Sequence, residues 1–223
     1  YVWWALAGAA AAAAVVFLLG RGGTGPASSS GTATGGSSRL RIVLAGTALG
    51  ASLGSVTGII TMVDSAAFDA HRFWVVGSLA GRDMATVEAT APFVLVGAVM
   101  TLILCGPLNV LLLGEDSAAA LGVRVGPVRV LALAAITLLA GGSTALAGPV
   151  AFVGLVVPHV LRLLLGPDLR RLMPLALVAG PCLVLASDIV GRVVAAPAEI
   201  AVGVVTAFLG APTLLWLVVR GRS

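Results

Sequence analysis

An all-helical, polytopic membrane bundle is the fold class this sequence predicts, on three observations. Hydrophobic residues make up 59% of the 223-residue chain, charged residues only 10%, and the mean hydropathy is +1.12, outside the range of water-soluble domains. The apolar residues gather into seven runs, each near the roughly 20 residues that a helix needs to cross a hydrocarbon core. All thirteen basic residues are arginines, scattered singly or in pairs between those runs, so the pI near 10.4 marks membrane topology and not a nucleic-acid face. The chain reads as a single transmembrane domain over 1–223.

The same composition excludes some chemistry. A chain without lysine holds no GKS or GKT phosphate loop, so it does not hydrolyse ATP by that route. Cys105 and Cys182 fall inside apolar runs without partner spacing, which argues against a disulfide or a metal site. No cofactor is expected.

Taken in order, residues 3–20 form the first span. Tyr1 begins almost inside it, without the basic flank of a signal peptide, which reads as a truncated rather than a processed end. Residues 21–38, rich in Gly and Ser, read as a flexible polar linker, because no strand precedes the glycines and no lysine follows. The second span is expected over 40–63, with Gly46, Gly50, Gly54 and Gly58 at four-residue spacing. Such a stripe bares one helix face, either for close packing of a neighbouring helix or for a passage. Between Asp64 and Ala91 polarity rises, predicting an exposed loop with a short interfacial helix anchored by Trp74. His71 there is a lone histidine beside charged residues and a poor metal ligand. Further spans are expected over 92–113, 130–147, 149–165, 172–190 and 200–219.

Arginine placement sets the orientation. Loops around 21–41, 124–129, 162–171 and 220–222 hold ten of the thirteen arginines, which makes them cytoplasmic by the positive-inside rule. Tyr1 is then outside and Ser223 inside, with the chain in the cytoplasmic membrane.

The stretch from Gly148 to Arg162 is apolar enough for lipid yet carries Pro158, His159 and Arg162 within one and a half helical turns. On physics alone it is a kinked span with an arginine at its water-facing end and a hydrogen-bonded imidazole at His159. Together with Gly154, these residues resemble the GPxxFxGLxxPHxxR signature of permeases in ATP-binding cassette importers for iron-siderophores, haem and cobalamin, the FecCD-type family. Similar text recurs in LAGTALG, GPLNVLLLGEDSAAALGV, GPDLRRLMP, SDIVGRV and the final PAEIAVGVVTAFLGAPTLLWLV. Gly106 stands where the family usually has a polar or basic residue, Ser187 where alanine is common, and the first loop is longer than expected. These departures leave a gate near Ser37 and Ser38 unassigned.

The resemblance implies a permease subunit, not an enzyme. It implies a ten-helix fold of which seven helices are present, lacking the first three. It also implies two ATPase subunits, a substrate-binding protein, and a second permease copy or a paralogue. The segment Leu113 to Val125 is similar to the LGExxAxxLG coupling helix. Glu115 and Asp116 suit a helix start, Gly122 a helix stop, and Leu121 with Ala118 on one face would pack into a groove on the ATPase. Arg192, one turn from Asp188, occupies the position that meets the binding protein in similar permeases, or simply caps its span as an ion pair. Glu199, before the last span, reads as structural. The glycine stripe of the second span and the last span are the candidates for lining the passage. Rival readings are a stand-alone ion-coupled transporter and, more remotely, an intramembrane enzyme.

Overall fold

The computed structural model describes residues 2–21, 36–79, 81, 83–195 and 199–220; most of the linker expected over 21–38 lies outside them. Among the described residues there are nine α-helices and no strand: α1 Val2–Arg21, α2 Gly36–Val63, α3 Ser65–Val75, α4 Met84–Leu111, α5 Glu115–Ala120, α6 Val125–Ala147, α7 Val153–Leu165, α8 Leu169–Val194 and α9 Val202–Arg220. Among the described residues four apolar segments are long enough to cross a membrane, Val43–Val63, Met84–Leu111, Val125–Ala147 and Leu169–Val194. Three shorter apolar helices, Trp3–Leu18, Val153–Leu165 and Val202–Thr213, occupy the remaining expected positions. The short helices α3 and α5 fall where polarity rises in the sequence.

The chain divides into two compact units, Trp3–Arg72 and Phe73–Ser223. In the first, Asp64 starts α3: its carboxylate accepts the amides of Ala66 at 2.9 Å and Ala67 at 3.2 Å, two donors that a helix start otherwise leaves unpaired. Hydroxyls along α2 fold back on their own helix, as Ser52 does on the Ala48 carbonyl and Ser55 on that of Ala51. This is how a polar side chain is made tolerable in an apolar span.

In the second unit α4 and α6 form the closest pair, and small residues make it close. A methyl added to Gly97 would lie 2.9 Å from Leu139 Cγ, and one at Gly142 would lie 2.7 Å from Val94 Cγ2. Each helix thus lodges an apolar side chain against the other's glycine, the packing that drives helix association when lipid is as apolar as the side chains. Helix α8 packs on α4, α7 and α9.

Several boundaries differ from expectation. Helix α4 starts at Met84, not at Pro92, with the Thr86 and Val87 amides bonded to the Asp83 carbonyl. Pro92 deprives the Glu88 carbonyl of its helical donor, but Glu88 is exposed, where water can replace the lost bond, so the proline neither begins nor breaks the helix. Helix α6 starts at Val125 instead of residue 130. The fifth span is shorter than the sequence suggests. Residues 149–152 are not helical, leaving a 13-residue α7 about 20 Å long, short of a full crossing. Two positive-φ residues impose this, Gly148 at +75° and Phe152 at +67°, the latter the only non-glycine of its kind among the described residues.

Candidate functional site

Helix α5 closes as the sequence leads one to expect. Its last carbonyls are taken by the Gly122 amide on Ala119 at 3.0 Å and the Val123 amide on Ala118 at 2.9 Å, the paired bonds of a Schellman stop, with Gly122 at φ +83°. At the other end Gly114, φ +102°, turns the chain out of α4 so that Glu115 and Asp116 lie in the first turn, where negative charge suits the helix dipole.

The face assigned to α5 needs correction. Ala118 is fully buried within the chain, whereas Leu121, the residue that closes the helix, is 65% exposed, as is Leu113 at 67%. The Leu121 amide still makes the helical bond to the Ser117 carbonyl at 3.1 Å, so what separates the two residues is burial: short Ala118 is covered by its own chain and the longer Leu121 is not. Ala118 seats α5 on its own chain, where α4 and α6 are its neighbours, which leaves Leu113, Leu121 and the acids among the exposed residues of this segment. Glu115 is partly engaged by an ion pair with Arg129 on α6. Both side chains are more than half exposed, so the pair adds little stability.

A second turn joins this end of the unit through a residue the sequence reading passed over. Asn109, near the end of α4, donates from Nδ2 to the Asp168 carboxylate at 3.1 Å and accepts the Leu169 amide on Oδ1 at 3.2 Å. Asp168 also caps α8 by accepting the Arg170 amide at 3.0 Å. The signal was present as GPLN and GPD, two polar residues beside prolines at span ends, but only the fold brings them together.

At the opposite end the expected ion pair forms and gains a member. Arg192 donates to Asp188 at 2.8 Å and, from its other arm, to Glu199 at 3.4 Å. Nearby, the backbone from Trp74 to Ser78 runs so close to other elements that the glycines at the contact have no room for a side chain. The Ser78 amide bonds the Ala147 carbonyl at 2.9 Å and the Gly203 amide bonds the Gly77 carbonyl at 3.2 Å. A methyl on Gly148 would sit 2.5 Å from the Trp74 carbonyl oxygen, and one on Gly203 would overlap the Val76 carbonyl. None of Gly77, Gly148 or Gly203 carried an assigned role in the sequence reading, since glycine is common throughout the chain.

The signature residues line up along α7. Gly154 is exposed and lies one turn before Pro158, whose ring removes the amide that would pair with its carbonyl. Arg162 is exposed in the last turn. His159 is half-buried, and its imidazole has no hydrogen-bond partner among the described residues, contrary to expectation. Its neighbours one turn away, Leu155, Val156, Arg162 and Leu163, offer no side-chain acceptor. Phe152 presses on Gly210 of α9, at the edge of a cavity of about 280 Å³ between α7, α8 and α9, lined also by Val156, Leu183, Thr206 and Thr213. Both threonine hydroxyls in it bond their own helix, so the wall is apolar in effect. In the first unit Gly46, Gly50, Gly54 and Gly58 present an open stripe, since a methyl on any of them meets no atom within 4 Å.

Comparison with known proteins places this arrangement. The model of the FecCD transport family matches residues 1–220. The ferric enterobactin transport system permease protein FepD of Escherichia coli (strain K12) is 45% identical over 183 residues, covering 82% of this chain and 54% of the relative. The hemin transport system permease protein HmuU of Yersinia pestis is 36% identical over 184 residues, covering 82% and 55%. The vitamin B12 import system permease protein BtuC of Vibrio cholerae is 40% identical over 185 residues, covering 82% and 55%. The chain therefore spans about half the length of the curated relatives it matches. A solved inward-facing conformation of an ABC transporter of the metal-chelate type superposes with TM-score 0.79 at 27% identity, covering 93% of this chain and 63% of that one. A multi-pass, membrane-embedded chain, this protein belongs to the FecCD transport family.

Proposed function

We propose that the complete protein is the membrane permease subunit of an ATP-binding cassette importer that carries an iron-siderophore or a related bulky metal chelate across the cytoplasmic membrane. The observation that carries this reading is α5: a short, doubly stopped helix set between two spans, seated by a buried alanine and presenting exposed Leu113, Leu121, Glu115 and Asp116. Such an element has no use within the bilayer and suits a groove on a partner in water. The relatives support the cargo class, since their names include ferric enterobactin, hemin and vitamin B12.

In this reading two ATPase subunits bind the α5 end and supply the driving energy, while a substrate-binding protein meets the end that holds Arg192. A second permease copy or a paralogue completes the passage, to which the open glycine stripe of α2 contributes. The arginine count puts α5 and the C-terminus in the cytoplasm and the first helix's start outside. The test is uptake by the reconstituted transporter, offered ferric enterobactin, hemin and cobalamin in turn. ATP-dependent accumulation of one of them is expected, and accumulation driven by an ion gradient without ATP would overturn the proposal.

A further inference from the structure

We infer that Asn109 is a positioning residue that fastens the α7–α8 turn to the end of α4, making that turn and α5 one rigid docking surface. The inference rests on the proposal that a partner docks on α5, and extends that contact to a second loop. Three observations carry it. First, the Asn109 side chain makes two hydrogen bonds, both to the start of α8 and neither to its own helix, at 3.1 Å to Asp168 and 3.2 Å to the Leu169 amide. Second, the start of α8 is held by packing as well, with Leu169 6% and Leu172 2% exposed. Third, α5 is fixed to the same region by fully buried Ala118, while Leu113 and Leu121 stay outside.

The chemistry explains why asparagine stands there. Asp168 offers only acceptors and the Leu169 amide only a donor, so the bridging side chain must donate and accept at once, which a neutral amide does in one group. With the α8 cap already made by Asp168 on the Arg170 amide, the turn from Gly166 to Leu169 is held at both its carboxylate and its backbone. Arg170 extends beside Gly106, where a methyl would stand 3.7 Å from its Nη2, an ordinary van der Waals contact. A partner that moves α5 must then move the α7–α8 turn with it, and a load on either turn reaches α4.

The experiment uses the full-length permease with its ATPase, in a background with Cys105 and Cys182 replaced by serine. Spin labels on cysteines introduced at Ser117 and Pro167 report the distance between the two turns. The native protein is expected to give one narrow distance distribution. Asn109→Asp sets two carboxylates against each other and should broaden it, lowering ATPase affinity about tenfold, in the range of a lost buried hydrogen bond. Binding-protein affinity at the other end should be unchanged. Asn109→Asp combined with Asp168→Asn restores a donor and an acceptor to the bridge, and should recover both the narrow distribution and the affinity. A broad native distribution, an Asn109→Asp protein that keeps native distance and ATPase affinity, or a double variant without rescue would each overturn the inference. If Asn109→Asp lowers the amount of permease in the membrane, the same comparison is made with Asn109→Ser. A native permease that binds no ATPase but has a narrow distribution would instead refute the proposed function.

Discussion

Arg192 on α8 holds two acids at once, Asp188 one turn back at 2.8 Å and Glu199 across the following loop at 3.4 Å. Because the Asp188 side chain is only 17% exposed while those of Arg192 and Glu199 are about half exposed, the first contact is the sheltered one and the second is open to exchange. An incoming acid can replace Glu199 at little cost, since exposed pairs are worth a fraction of a kcal/mol. Replacing Arg192 with Glu should therefore weaken docking of the binding protein about tenfold or more at low ionic strength, with a smaller loss at high salt, where exposed charges are screened. Affinity for the binding protein measured across a salt series checks this. An unchanged value would return Arg192 to capping its span.

Gly122 should tolerate asparagine and reject valine. At φ +83° a β-branched side chain costs about 1–2 kcal/mol, whereas asparagine adopts this region far more readily. Gly122→Val is expected to shift α5 and lower ATPase co-purification severalfold, as Leu121→Asp should by altering the exposed face, with binding-protein docking retained in both. If both variants keep full association, the turn from Gly166 to Arg171 is the better docking element.

Orientation is open to direct measurement. In a background without Cys105 and Cys182, the second of which is exposed, cysteines at Ser117 and Pro167 should be shielded from an impermeant thiol reagent in intact cells, and one at Asp69 should react. Labelling of the Ser117 cysteine from outside would reverse the assignment.

The glycines divide into two classes with opposite predictions. Gly148→Ala or Gly203→Ala drives a methyl into a backbone carbonyl and should lower thermal stability in detergent, at about the 1–3 kcal/mol typical of overpacking. Gly46→Ala meets nothing within 4 Å and should leave stability unchanged. If the α2 stripe borders the passage, Gly50→Leu should cut transport while leaving stability and ATPase affinity intact. Equal melting temperatures for Gly203→Ala and native protein would show that the loop is not held as described.

The apolar runs of this sequence yield the helices because a span announces itself by composition over many residues. The stop at Gly122 and the Asp188–Arg192 pair were legible too, for both depend on residues within one turn of each other. Legibility failed where the deciding contact is distant. Asn109 and Asp168 lie far apart in sequence and meet only when α8 packs on α4. The inward turn of Ala118 depends on where α6 lies beside α5, and the early start of α4 on water replacing a bond that Pro92 removes. Nothing local in the sequence marks the left-handed backbone at Phe152 that shortens α7.

The bonds around Gly77 have a consequence for how the chain is made. Its carbonyl waits for the Gly203 amide, and between them lie all of α4 to α8, so the ribosome must deliver every intervening helix before that bond can close. Until α9 emerges, the loop from Trp74 to Ser78 rests on the end of α6 and the residues that follow it, with water serving the Gly77 carbonyl at the bilayer surface. A helix synthesised late is thus the one that fastens a loop made much earlier. A nascent chain stopped before Val202 would hold its middle spans in lipid with that loop still open to proteases.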